Sequence, residues 1–306
     1  MKMSIIVPCR NEDRYLQRCL ESLSDQDFPR SDYEIIVVDN GSTDRSLEIA
    51  KSKSDIVIVA PNINVGAVRN RGAERAKGET IVFIDADCTV DSQWLNRAYK
   101  LSCESPNTVF GGGAALPKKA TWVERYWLLE GENGLALPTE LIGCSIVLSN
   151  SNFKSLQFNE ELSSGEDTDL SKKLRKKNKN ILITHDLDVI HFGNAKTIRE
   201  FVKRQTWHAQ CYKNKNLKNA TDPIFITLIF YSTIIILSTL HLVKYQEISY
   251  TLLALALVTP AILTIKRYFR AKRRPKTITE LPISYFLDTI YIFGRTLGLI
   301  KRNSDI

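Results

Sequence analysis

The sequence predicts an α/β fold, a Rossmann-like sheet flanked by helices, followed by apolar spans, and three observations predict it. Short apolar, β-branched runs alternate with longer amphipathic stretches over the first hundred residues; continuous apolar runs at that spacing are strands covered by helices on both faces. At 306 residues and 43% hydrophobic content, the chain is long enough for one sizeable α/β domain and an appendage. Beyond that domain, Pro223 to Val243 and Ile248 to Ile265 contain no Asp, Glu, Lys or Arg, and each is long enough to cross a hydrocarbon core of about 30 Å.

Taken in order, the strands read as SIIV, EIIVVD, IVIVA and TIVFID, and the helices as Tyr15 to Ser24, Ser46 to Ser52, Gly66 to Lys77 and Ser92 to Cys103. Ligands of such sheets sit at the carboxyl ends of the strands, which directs attention to Pro8 to Glu12, Asp39 to Asp44 and Asp85 to Asp87. TVFGGGAAL then reads as a strand ending in a glycine-rich turn, and CSIVLSN as a further strand. GEDTDLSKKLRKK opens acidic and closes basic, the charge distribution that a helix dipole favours. Thr197 to Tyr212 reads as an amphipathic helix, near a membrane or in a core. Pro282 to Ile300 is apolar but carries Asp288 and Arg295 on roughly one helical face, and it is expected to lie in a membrane interface, with a third crossing as the alternative.

The net charge is +8, and its location decides what it means. Seven basic residues and no acidic ones fall between Lys266 and Lys276, so the remainder is nearly balanced. That placement, beside apolar spans, points to anionic lipid on the cytoplasmic side and away from nucleic acid. Six cysteines without a Cys-x-x-Cys pair argue against a zinc ribbon or disulfide framework and suit a reducing compartment. No charged and apolar leader opens the sequence, so a cleaved signal peptide is not expected. The expected division is 1–218, a cytoplasmic α/β domain; 219–265, two transmembrane helices; and 266–306, a basic loop and the interfacial or third membrane helix.

The chemistry-bearing residues cluster at the predicted strand ends. FIDADC offers Asp85 and Asp87, two hard oxygen ligands that could hold Mg²⁺ or Mn²⁺ beside diphosphate oxygens, with a turn or helix cap as the alternative. Asp39 opens DNGSTD at a sheet edge, where its carboxylate can accept an N–H such as the imide of uracil; Asp44 is better read as a helix cap. NVGAVRNRG places Asn64, Arg69 and Asn70 at a helix start below the same crevice, where cationic and amide groups suit a diphosphate, and its glycine spacing is not a dinucleotide fingerprint. Glu166 and Asp167 open the GEDTDL helix as caps or as a general base for an acceptor hydroxyl. His191 is either a further metal ligand or a satisfied core histidine; His185 and His208 are not assigned to a metal.

In this order the motifs resemble glycosyltransferase family 2, the inverting family with the GT-A fold, in its membrane-anchored bacterial form. SIIVPCRNE resembles the family's first strand and Pro-x-x-Asn-Glu turn, VDNGSTD its nucleotide-base motif, NVGAVRNRG its Asn-x-Gly helix, FIDADC its metal-binding Asp-x-Asp and GEDTDL its acceptor-side Glu-Asp motif. The resemblance implies a GT-A mixed sheet over residues 3 to 212. It also implies Pro8 and Glu12 lining the nucleotide pocket, Asp39 on the base, Asp85 on the donor ribose or sugar, Asp87 and His191 on Mn²⁺ or Mg²⁺, and Asp167 as base with Glu166 beside it. The implied partners are a nucleotide-sugar donor, UDP-sugar favoured, a lipid-linked acceptor and membrane lipids, with no nucleic acid. The implied location is the cell membrane, multi-pass, with the catalytic domain cytoplasmic. RQTW resembles only part of the Gln-x-x-Arg-Trp element of processive members, and Asn150, Ser151 and Asn152 stand where many relatives carry arginines. Two other readings remain at this stage: a sugar-phosphate nucleotidyltransferase, although SIIVPCRNE lacks the glycine-rich loop of that class, and a membrane-tethered nucleotide-sugar-binding protein without transfer activity.

Overall fold

The computed structural model describes residues 1–131, 134–209, 223–241 and 246–300. They form two compact units, one of Met1–Lys118 with Leu137–Asn194, the other of Lys119–Ala136 with Ala195–Ile306. Residues 219–222, 242–245 and 301–306 of the expected membrane and C-terminal regions, and 210–212 of the helix expected at Thr197 to Tyr212, lie outside the described residues.

Labels run in chain order through both units. The first unit holds β1 (Met3–Cys9), α1 (Leu16–Ser24), β2 (Tyr33–Asp39), α2 (Ser46–Lys53), β3 (Ile56–Val59), α3 (Val65–Arg75), β4 (Thr80–Phe83), β5 (Cys88–Thr89), α4 (Trp94–Glu104), β6 (Val109–Gly111) and β7 (Ala114–Ala115). After the excursion into the second unit it continues with β10 (Ile146–Ser149), α6 (Asn150–Lys154), α7 (Glu166–Lys176), β11 (Ile181–Ile183) and β12 (Val189–His191).

Its main sheet has the order β11-β6-β10-β4-β1-β2-β3. β1 pairs in parallel with β2 and β4, and β2 with β3. β10 runs antiparallel to β4 and β6, which makes the sheet mixed. Side-chain alternation along β1 sends Ile5 and Val7 to one face, against Leu16, Leu20 and Leu23 of α1, and Ile6 to the other, against Val68 of α3. Both faces are therefore covered, as the unbroken apolar runs require; each fully buried Ile or Leu contributes about 1.5–3 kcal/mol. From β1 the chain winds outward to β2 and β3 and then crosses back to β4. That reversal opens a crevice at the carboxyl ends of β1, β2 and β4. A second small sheet, β5-β12-β7, lies in the same unit and sets His191 opposite Cys88.

The second unit holds α5 (Trp122–Trp127), the hairpin β8 (Glu130–Gly131) and β9 (Gly134–Leu135), and four helices, α8 (Ile198–Ala209), α9 (Pro223–His241), α10 (Gln246–Arg270) and α11 (Glu280–Ile300). Thr121 and Glu124 close a reciprocal capping box at the start of α5, the arrangement that satisfies two of a helix's free N–H groups. Val123, Phe201 and Leu287 form one apolar cluster of this unit, with Trp127 and Tyr291 packed against them.

Among the described residues no helix is long and apolar enough to cross a membrane, so the two expected transmembrane helices are not supported. Nor is the basic run a loop throughout. α10 continues five residues past Ile265 to Arg270, because Arg267 finds a partner: its Nη2 donates to Oδ2 of Asp288 at 2.8 Å, and its Nη1 donates to the carbonyls of Tyr126 and Trp127. Thr264 Oγ1 donates to the same Asp288 oxygen at 2.6 Å. A buried ion pair satisfied on both sides is costly to break, and this one ties α10 to α11. In RQTW, Gln205 is buried and accepts from Arg295 Nε at 3.2 Å, while Trp207 is partly exposed.

Candidate active site

The loops after β1 and β2 are stitched together by hydrogen bonds. Asn11 takes a positive φ of 55°, its N–H donates to Ser42 Oγ, and its Oδ1 accepts from the Thr43 N–H at 2.8 Å. The Glu12 N–H donates to Ser46 Oγ at 2.7 Å, and the Asp13 N–H donates to Asp44 Oδ2. Asp44 Oδ1 also accepts from the Ser46 N–H at 2.9 Å, meeting the first N–H of α2 from one residue before the cap position, which Arg45 holds instead of the expected Asp44. Pro8 pairs in register with Val38, so Pro8 and Glu12 sit at the edge on which Asp39 ends its strand. Asp39 is 1% exposed. Its Oδ1 accepts from the Gly41 and Ser42 N–H groups at 3.1 and 3.0 Å, while its Oδ2 is buried without a partner. An unpaired buried acceptor is expensive, and a ligand N–H would remove the cost.

Asp85 and Asp87 follow β4. The β5–β12 pairing brings His191 to them from a hundred residues away: the Phe192 N–H donates to the Asp87 carbonyl at 2.8 Å, and His191 Nε2 lies 3.6 Å from Asp87 Oδ2. His191 Nδ1 is buried without a partner. Asp87, Cys88 and His191 present ligand atoms within 4.8 Å of one another. Cys88 donates its thiol to Asp87 Oδ1 at 3.4 Å, and burial, then its neighbour Cys144, holds its pKa well above the ordinary thiol value. An imidazole nitrogen 3.6 Å from a carboxylate oxygen, with a thiol next to them, fits a divalent metal. Gly193 closes the back of this group, since a Cβ there would stand 1.7 Å from Asp87 Oδ2.

Arg69 joins this group to the start of α7. It is 3% exposed; its Nη2 donates to Asp85 Oδ1 at 2.7 Å and its Nη1 donates to Glu166 Oε1 at 2.6 Å. Burial works against the charged form, but Asp85, Glu166 and Asp167 outweigh it and hold the guanidinium above its usual pKa. Both Nη groups are thus engaged by carboxylates. Gly143 makes room for them, because a Cβ there would meet Nη2 at 2.2 Å. The Gly143 N–H donates to Asp167 Oδ2 at 3.1 Å, and the Thr168 N–H donates to Asp167 Oδ1 at 2.6 Å. Burial, then the neighbouring Glu166 charge, raises the Asp167 carboxyl to about 6, with Arg69 pulling the other way.

Asn64 stands at the start of α3 and donates Nδ2 to the Glu160 carbonyl at 2.9 Å, while Asn70 donates to the Phe158 carbonyl at 3.0 Å. The asparagines of NVGAVRNRG therefore fasten the loop that leads into α7. The structure brings together Asp85, Asp87, His191, Arg69, Glu166 and Asp167 as a chain of contacts, with Asp39, Pro8 and Glu12 along the neighbouring strand ends. Sequence reasoning missed Cys88, Gly143 and Gly193. Of these only Cys88, adjacent to Asp87 in FIDADC, carried a readable signal.

A parallel-centred mixed sheet with acidic groups at its carboxyl edge gives the first unit a GT-A-like fold. Residues 4–133 match the family model described as Glycosyl transferase family 2. Over that stretch the chain is similar to glycosyltransferase family 2. It is similar to Glycosyltransferase AglE of Haloferax volcanii, 36% identical over 132 residues, which are 40% of this chain and 43% of that protein. It is also similar to the Staphylococcus aureus poly(ribitol-phosphate) beta-N-acetylglucosaminyltransferase TarS, 30% identical over 182 residues, 55% of this chain and 31% of that protein. The chain thus spans less than half the length of these curated relatives. Among solved structures, the mannosyltransferase PcManGT from Pyrobaculum calidifontis aligns with a TM-score of 0.60 at 15% identity, covering 98% of this chain and 87% of that one. S. aureus TarS 1-349 aligns at 0.50 and 22%, covering 98% and 90%. At these identities the two structures establish the shared fold.

Proposed function

We propose that this chain is an inverting glycosyltransferase that moves a sugar from a nucleotide diphosphate donor, with UDP-sugars favoured, to a hydroxyl or phosphate of a lipid-linked acceptor in polysaccharide or glycan synthesis. The proposed place of action is the cytoplasmic face of the cell membrane. The observation that carries this reading is the Arg69 bridge: one guanidinium joins Asp85, two residues from the carboxylate–imidazole pair, to Glu166, next to the carboxyl of raised pKa. Donor-side and acceptor-side chemistry are thereby held in one group.

In this mechanism Asp39 Oδ2 accepts the imide N–H of uracil, and the stitched loops after β1 and β2 hold the base against Pro8 and Glu12. Asp85 orients the donor ribose or sugar. Asp87 and His191 would hold the divalent metal, which supplies positive charge to the leaving diphosphate. The same fold holds GDP-Man and Mn²⁺ in PcManGT. An imidazole in the ligand set favours Mn²⁺ over Mg²⁺, which prefers an all-oxygen octahedron. With Glu166 engaged by Arg69, the base is Asp167. Its pKa of about 6 leaves it ionised at neutral pH yet more basic than an ordinary carboxylate. The acceptor oxygen bonds to the anomeric carbon as the bond to the diphosphate breaks, and the acceptor proton passes to Asp167. A single displacement inverts the anomeric configuration.

The membrane location is supported by the apolar and basic composition of residues 223–276. The test is nucleoside diphosphate release from a panel of UDP-, GDP- and dTDP-sugars with Mn²⁺ and native membrane lipids, against Asp87→Ala and Asp167→Asn. Donor-specific release lost in both variants is expected. Release that persists in both, or a product of retained configuration by NMR, would reject the mechanism. Protection of the N-terminal unit from protease added outside intact cells is the expected topology, and cleavage from outside would reject it.

A further inference from the structure

The second unit carries an amphipathic surface that its own core does not use. At about 3.6 residues per turn, Ile262, Ile265 and Phe269 form one stripe along α10, with Lys266 and Arg270 immediately beside it. All five are exposed, while Thr264, Tyr268 and Ala271 on the opposite side are buried. On α11 the same arithmetic puts Pro282, Phe286 and Phe293 on the side away from the buried Ser284, Leu287 and Asp288. A shallow apolar pocket of about 420 Å³ lies at the start of this stripe, lined by Trp122, Pro282, Ile283 and Phe286. Between the helices the turn exposes Lys272, Arg274 and Lys276, with Ile278 at 92% exposure and Phe269 at 79%.

Large exposed apolar side chains gathered on one side of a helix mark an interaction surface. Cations decide which kind. The exposed basic residues flank the apolar stripe, and acidic Glu280 is buried against Arg273, its Oε1 accepting from Arg273 Nη2 at 2.6 Å. Apolar side chains edged by lysine and arginine, with aromatic rings among them, are the composition of an element that lies in a bilayer interface, where the rings sit at headgroup level and cations meet lipid phosphate.

We propose that the α10–α11 face of the second unit docks onto an anionic lipid surface, with Phe269, Ile278 and Phe286 entering the acyl boundary and Lys266, Lys272, Arg274 and Lys276 contacting headgroup phosphates. This deepens, and rests on, the reading that the acceptor is met at a membrane. Docking of this kind requires no helix to cross.

The experiment is flotation of the purified full-length chain with vesicles of phosphatidylcholine alone and of phosphatidylcholine with phosphatidylglycerol, at low and high salt, without donor or acceptor. Binding to the anionic vesicles at low salt is expected to exceed binding to neutral ones by about tenfold or more and to fall with salt. The triple variant Lys272→Glu, Arg274→Glu, Lys276→Glu should lose the preference for anionic lipid. Phe269→Ser with Phe286→Ser should lose binding to both vesicle types while keeping the wild-type melting profile. Brominated acyl chains should quench Trp122, read as the difference from Trp122→Phe. Equal binding to both vesicle types, or no binding by folded protein, would overturn the proposal. So would a dimer that Phe286→Ser dissolves in the absence of vesicle binding, since a second copy would then own the surface. Vesicle binding and nucleoside diphosphate release are read separately, so loss of one with retention of the other shows which proposal has failed.

Discussion

Replacing Arg69 with methionine tests the bridge at the centre of the site. Methionine keeps much of the volume and removes the charge, leaving Glu166, 5% exposed, facing an apolar side chain. Removing one partner of a buried pair costs about 3–5 kcal/mol. Asp85 is 29% exposed on its side chain and recovers part of its loss from water, so the expected cost lies at the low end, about 3 kcal/mol. For a domain of this size that lowers the melting temperature by about 6–12 °C. The same change removes the charge that pulls the Asp167 carboxyl down, leaving only the Thr168 and Gly143 N–H groups to do so, and its pKa rises from about 6. Transfer requires the ionised form, and the acid limb of the kcat/KM profile therefore moves to higher pH. Lysine at position 69 restores a charge without the two-pronged geometry and should return part of the limb and little of the stability. The assays are a thermal melt and kcat/KM from nucleoside diphosphate release between about pH 5 and 9, an interval that brackets the raised Asp167 value of about 6. An unchanged melting temperature together with an unmoved acid limb would refute the bridge.

Further expectations follow from neighbouring contacts. His191→Asn should weaken the Mn²⁺ requirement curve by roughly 10–100-fold and narrow the preference for Mn²⁺ over Mg²⁺, read by metal titration of donor binding; an unchanged titration would remove His191 from the metal. Gly143→Ala should resemble Arg69→Met, because the added carbon falls 2.2 Å from Arg69 Nη2; a melt and pH profile like wild type would contradict the packing. Asp39→Ala should raise KM for a UDP-sugar by about tenfold, the worth of one hydrogen bond to a charged group, with kcat little changed; an equal fall in kcat would place Asp39 elsewhere.

The strand series β1 to β4 was legible because β1, β2 and β4 are buried on both faces and so leave unbroken apolar runs, while the edge strand β3 keeps such a run although it is only partly buried. Pairing direction left no such mark. CSIVLSN announces a strand but not that β10 lies antiparallel between β4 and β6. The acidic positions of the site were visible from their place at strand ends, whereas the sequence does not show that Arg69 is sealed beneath them. Burial of an arginine needs two carboxylates brought from positions 85 and 166 and a glycine at 143, all long-range facts. The end of α10 was obscure for a similar reason: composition closes the apolar run at Ile265, but the partner that lets Arg267 stay helical is Asp288, on another helix.

On the proposed roles, the shared guanidinium links the donor and acceptor sides thermodynamically. Reciprocity is obligatory for binding equilibria: whatever a ligand at Asp85 does to proton affinity at Asp167, a proton on Asp167 does to the affinity of that ligand, in equal measure. Donor dissociation constants followed across the titration of Asp167 should therefore drift with pH in the native chain and flatten in Asp167→Asn. The donor's hold on this site is then tuned by the protonation of the proposed base.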